Sequence, residues 1–223
     1  MYDSRTNLII GFHGCDKSVR DSLINNPNTI IKSEKPYDWL GHGIYFWENN
    51  YDRALKWAND KAKRKLIDNP SVIGAVLELK YCFDLLDSRF ITTLKQYYEL
   101  MAESYKILNK ELPKNRDIPN DKNKDKILRE LDCTVIEFMH QSILNQIIED
   151  EKVKGFSEFN TFDSARGVFT EGSEIYPGAG ILDKNHIQIC IRNPNCIKGF
   201  FLPRKDVDFS PMKQYQEQIK KIK

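Results

Sequence analysis

Gly41-His42-Gly43-Ile44-Tyr45-Phe46-Trp47, running on through Glu48-Asn49-Asn50-Tyr51-Asp52-Arg53-Ala54, is the stretch on which the fold of this chain turns. Two glycines let a backbone pass close to a ligand, and the apolar triplet after them makes a strand. That strand can offer the flat face of Tyr45 to another planar ring. Asn49 and Asn50 are helix-capping residues, and beyond them Tyr51, Leu55 and Ala58 recur on one helical face. Trp57, on the same helix, is placed to cover the other side of a ring stacked on Tyr45.

Working outward, Asn7–Gly14 (NLIIGFHG) reads as a strand ending at a Gly-flanked histidine. His13 and the backbone of Gly14 would supply one donor and one acceptor at its end. Residues 16–26 have the spacing of a short amphipathic helix with Val19, Leu23 and Ile24 on one face. Ser71–Asp87 supplies a further strand through Val72, Val76, Leu77 and Leu79. Far downstream, Arg166–Gly172 and the Pro177–Gly180 turn precede His186–Asn193 (HIQICIRN), the clearest strand of the C-terminal part. Alternation puts His186, Gln188 and Cys190 on one face of it, which for an isolated strand is expected to be solvated. Residues of about 84–160 differ in texture: they are rich in Lys, Glu, Asp and Asn, with helical recurrence of Leu94, Tyr97 and Met101, then of Leu131, Val135 and Phe138. This zone is too short and polar to hold a core alone, so it reads as a helical insertion in a single domain spanning 1–223. A Pro/Asn/Lys-rich stretch inside it, residues 110–126, reads as a mobile loop. The last twenty residues read as a solvated tail.

The bulk figures exclude little. A length of 223 residues fits one sizeable core, and a formal charge of +2 permits a polyanionic partner without requiring one. The five cysteines form no CxxC pair and their number is odd, which points to reduced buried thiols and no metal site. There is no apolar run near the ~18 residues a membrane span needs, so a soluble cytoplasmic protein without membrane association is expected.

Taken together, the HG pair after a first strand, GHGIYFWENNYDRA, the GAVLELKY strand and the Gly-rich GVFTEG…YPGAGI run resemble the poly(ADP-ribose) polymerase and diphtheria-toxin branch of ADP-ribosyltransferases. The resemblance covers about residues 8–83 and 161–202 and leaves the insertion outside. It implies an α+β fold with a split, mainly antiparallel β core of two small sheets, flanking helices and NAD⁺ as co-substrate. It implies that His13 binds the nicotinamide ribose, Gly14 holds the carboxamide, Tyr45 stacks on the nicotinamide, and Gly43, Ala54 and Trp57 line the same site. The family's third position is a Glu at the start of the last strand. Here that slot falls on His186, which leaves Glu171, Glu174 and Gln188 as candidates for the missing group.

Chemistry sets the demand on that position. Nicotinamide leaves as a neutral group, so the ribose needs a rigid clamp and electron-rich neighbours for its oxocarbenium-like transition state. A carboxylate gives charge; a neutral imidazole gives only an acceptor. His186, at an ordinary imidazole pKa of ~6.5, would suit a base that activates an incoming nucleophile. The reading is therefore a mono-ADP-ribosyltransferase acting on a protein or nucleic-acid acceptor. By resemblance it is a toxin or defence effector, which implies an antitoxin or immunity partner. An NAD⁺ glycohydrolase and a catalytically inactive NAD⁺ or ADP-ribose binding module are the rivals. A phosphotransferase relative would need a basic cluster that the motif residues do not supply.

Overall fold

Apolar runs on both strands drive β1 (Ser4–Asp16) and β3 (Pro70–Asp84) into a long antiparallel ladder, from Ser4 opposite Tyr81 to Asp16 opposite Pro70. The computed structural model describes residues 4–119 and 121–204, with 218 and 220. The expected tail therefore falls almost wholly outside the described residues. β2 (Ile44–Glu48) pairs with β1 on one side and β7 (His186–Ile191) on the other. β6 (Ser164–Phe169) pairs with β7, and its first residues run parallel to the end of β3. β8 (Ile197–Phe201) lies antiparallel to the middle of β3.

These pairings close on themselves: β1 to β2, β7, β6, β3 and back to β1. The two expected sheets are thus one six-stranded sheet. Its cause is the length of β3, whose fifteen residues reach β1, β8 and β6 in turn. The chain is α+β, with a mainly antiparallel sheet and four α-helical elements among the described residues.

Alternation along β2 and β7 sends Ile44, Phe46, Ile189 and Ile191 to one face, where Ala75, Leu77 and Leu79 of β3 complete a core. The opposite face carries Cys190, Ala165 and Phe169, and it too is buried. Ile136, Met139 and Ile143 of α4 (Glu130–Lys154) cover it together with Trp39 and Leu40. The polar face of β7 is therefore not solvated: the insertion closes over it. A region too polar to fold alone gains its apolar partners from the sheet.

The remaining helices begin where side chains satisfy the first free N–H groups. Asp16 caps α1 (Lys17–Asn25), Asn50 caps α2 (Tyr51–Lys63) and Asp87 caps α3 (Ser88–Ile107). In α1 Leu23 is buried and Ile24 half-buried, while Val19 is exposed. The stretch expected to be a mobile loop is anchored at both ends. β4 (Asn115–Arg116) pairs with β5 (Leu128–Arg129), and the side-chain Oδ1 of Asn115 accepts from Leu131 N at the start of α4 (3.0 Å). All five cysteines are buried. Among the described residues no helix is long and apolar enough to cross a membrane.

Candidate functional site

His13 lies near the end of β1, where its Nδ1 is 2.8 Å from the carbonyl oxygen of Tyr45 on β2. A carbonyl only accepts, so Nδ1 carries the proton and Nε2 is left as the lone-pair nitrogen. The ring is half-buried, and desolvation, with the Lys61 charge, holds its pKa below the usual imidazole value against the opposing effect of the Tyr45 hydrogen bond. The motif residues His13 and Tyr45 are thus joined, but through the Tyr45 backbone. Phe12 opposes Trp47 across the strand pair, so Tyr45 and Trp47 share a face with Phe12, and the His13 ring turns to the other side to meet Phe46 at 5.9 Å. The Tyr45 hydroxyl donates to Gly41 O (2.8 Å) and accepts from Leu40 N (2.9 Å), which pins the ring to the glycine turn before its own strand. Burial raises the phenol well above its ordinary pKa, so it stays protonated.

The two glycines read as ligand approaches lie against protein. A Cβ on Gly14 would sit 2.2 Å from the carbonyl oxygen of Ala54, so this glycine lets α2 rest on β1. A Cβ on Gly43 would meet Cys190 Sγ at 2.5 Å and Ile191 O at 2.6 Å, so that glycine lets β2 close on β7. Ala54 is fully buried at the first of these contacts. Trp57 meets Trp47 (5.9 Å), with Lys61 and Arg64 over its ring at 5.6 and 5.5 Å.

The third position forms a second, sealed corner. His186 opens β7 at 6% exposure, its Nδ1 2.7 Å from Lys184 O, its ring stacked on Phe169 at 5.5 Å and 6.3 Å from Trp47. Desolvation lowers its pKa to about 4, with the charges of Arg53 and Arg129 acting in the same direction. This revises its expected role: a nitrogen so weakly basic serves as a hydrogen-bond acceptor, not as a base poised near neutrality. Glu171 forms an ion pair with Arg53 of α2 and lies 3.9 Å from Lys184. Gln188 accepts from the Trp39 indole at 2.5 Å, and Glu174 accepts from Gly178 N at 2.8 Å within its own loop. Of the three candidates, Glu171 alone is tied to a residue whose charge acts on His186.

Arg53 and Trp47 belong to this corner and were not singled out for it from the sequence. Trp47 Nε1, Arg53 Nε and His186 Nε2, two donors and an acceptor, are three of the four buried side-chain polar atoms without a partner among the described residues. A second group without sequence signal ties the insertion to the motif loop. Glu137 of α4 accepts from His42 N (2.7 Å) and from Arg192 (2.5 Å), and Arg192 also donates to His42 O (3.1 Å). Burial works against the charge on Glu137, yet Arg192 holds its pKa below the usual carboxylate value. Among the described residues no three His, Cys, Asp or Glu side chains gather as a metal ion would require.

The chain is 25% identical over 205 residues to an uncharacterized protein of Methanocaldococcus jannaschii, a match covering 84% of this chain and 83% of the other. No family model matches the chain, and no solved structure matches it.

Proposed function

We propose that this protein is an NAD⁺-dependent mono-ADP-ribosyltransferase with an ADP-ribosyltransferase-like β core. The observation that carries the reading is the strand order: β1, β2 and β7 are consecutive neighbours, and they bear His13, Tyr45 and His186. Motif positions 173 residues apart along the chain thereby come to three adjacent strands.

In this reading His13 Nε2 accepts a ribose hydroxyl, since Nδ1 is committed to Tyr45 O. The Tyr45 ring, fixed through its hydroxyl, contributes a rigid surface, and rigidity lowers the entropic part of the barrier. Nicotinamide departs as a neutral leaving group. His186 supplies an acceptor without charge, which suits a single transfer and not the repeated activation of acceptor hydroxyls that polymer growth needs. Glu171 is the candidate source of negative charge, and Arg53 must release it before it can stabilise the oxocarbenium-like ribose. The acceptor is a macromolecule, protein or nucleic acid, and an antitoxin or immunity partner belongs to the same proposal.

The Glu171–Arg53 pair also favours a second reading, in which NAD⁺ or ADP-ribose is bound without turnover because no free carboxylate faces the ribose. Incubation with radiolabelled NAD⁺ and a cell lysate, followed by nuclease or protease digestion, separates these cases. Label in a digestible macromolecule, lost in His13→Ala and Tyr45→Ala, supports transfer. Free ADP-ribose with no labelled macromolecule supports hydrolysis instead. Calorimetric NAD⁺ binding without nicotinamide release supports the binding module. Full transfer by both variants would overturn the site.

A further inference from the structure

The helical insertion carries a cavity of its own. It has a volume of about 320 Å³ and is lined by Lys124, Asp125, Lys126, Arg129, Asp132 and Thr170, among others. That volume is at the small end of ligand sites, room for a group the size of a mononucleotide.

Its charge is unevenly committed. Asp125 accepts from Gly172 N (3.1 Å), and Asp132 accepts from the Asn115 amide (2.8 Å). The cations are less engaged. Lys124 and Lys126 are exposed and have no ion pair among the described residues. Both sit in the left-handed backbone region (φ 57° and 48°), which non-glycine residues seldom adopt. Arg129 is the inner wall. Its side chain is only 15% exposed, and the guanidinium lies over the rings of Phe169 (3.9 Å) and Trp39 (5.2 Å). Nε donates to Lys126 O at 3.3 Å, whereas the nearest carboxylate to its terminal nitrogens, Asp132, stands 4.0 Å away. A guanidinium stripped of most of its water, held in place by two rings and without a hydrogen-bonded carboxylate among the described residues, is an anion receptor prepared in advance. Planar, forked donors suit phosphate oxygens, and two lysines at the rim add point charge.

We propose that this cavity binds the phosphate group of a small phosphate ester or free phosphate, with Arg129 as its inner contact and Lys124 and Lys126 closing over it. The site is built mostly from the insertion, with Thr170 from beyond it, and does not depend on how NAD⁺ is handled. Phe169 is nonetheless common ground, since both Arg129 and His186 lie against it.

Calorimetric titration of the full chain at low ionic strength, with inorganic phosphate and with adenosine monophosphate as probes, tests the assignment. Lys124→Ala/Lys126→Ala changes only exposed side chains and should weaken binding about tenfold while flattening its salt dependence. Arg129→Lys keeps the charge but removes the fork, and should weaken binding further still. Tighter binding of the nucleotide than of phosphate assigns the site to a phosphate ester; equal binding assigns it to the anion alone. Failure of the wild type to bind either probe overturns the proposal. So does undiminished binding in the double lysine variant, because a nucleotide held at the His13 corner would give that result. Thermal unfolding of each variant confirms that a loss of binding is not a loss of fold.

Discussion

His13 and His186 are the same chemical device set in two different places. Each has Nδ1 on a backbone carbonyl, Tyr45 O for one and Lys184 O for the other, and each is kept neutral by desolvation. What differs is the space beyond Nε2. The His13 ring is half-buried at a strand end, whereas His186 is sealed between Phe169 and Trp47 with its Nε2 buried and unpartnered. Residue type alone would give both the same role. Exposure divides them: the His13 ring is partly exposed, whereas the His186 ring is enclosed.

If that contrast is right, substitutions in the sealed corner act on stability and those in the accessible corner act on binding. The largest effect is expected from Glu171→Ala, which leaves Arg53, 11% exposed, without its counter-charge. A cost of about 3–4 kcal/mol in urea unfolding is expected, with much of it recovered in Glu171→Ala/Arg53→Met. No recovery in the double variant would show that the pair is not the unit of stability here. Next comes Gly14→Ala, whose new methyl must displace the α2 backbone at Ala54; about 3 kcal/mol is expected from overpacking. A neutral result would mean that α2 is not seated on β1.

The pH dependence sharpens the comparison further. The His186 pKa falls from an ordinary value of 6.5 in the unfolded chain to about 4 in the fold. Protons therefore enter the unfolded state first. The stability linked to His186 is complete above pH 6.5 and is lost as the pH falls from there to about 4. That loss amounts to about 3 kcal/mol. His186→Phe should flatten part of the fall in Tm over this window. Part will remain, because His140 is lowered to about 3 and His13 is lowered as well. The smallest effect belongs to Tyr45→Phe, which deletes two hydrogen bonds of the hydroxyl and leaves the ring: about 1 kcal/mol in unfolding. If the ring is what a ligand touches, NAD⁺ affinity survives this change and is lost in Tyr45→Ala.

Local signals in the sequence were sufficient for four of the strands and for the start of α2. The runs NLIIGF, VIGAVLEL and HIQICI are strands, and Asn50 caps α2 as its residue type suggests. What no local pattern carries is which elements meet. Arg53 and Glu171 are 118 residues apart and Glu137 and Arg192 are 55 apart, and each is an ordinary charged residue in its own segment. The burial of His186 was hidden for the same reason: alternation gives its face, but the cover comes from Phe169 and Trp47 on other strands. His13 and Tyr45 stand out in the chain because their motifs are local. The separation of their rings was not, since it depends on the register that sets Phe12 opposite Trp47.

The five buried cysteines turn the whole fold into its own reporter. Burial raises Cys15 and Cys196 to about 11 and Cys133 to about 12, with Cys190 raised as well, so little thiolate exists at neutral pH and none of it faces water. Iodoacetamide should leave the native protein unmodified for as long as it stays folded. Alkylation, read by mass, then keeps time for opening: adducts at Cys15 alone would mark fraying of the β1 end, and five adducts appearing together would mark collapse of the closed ring of strands.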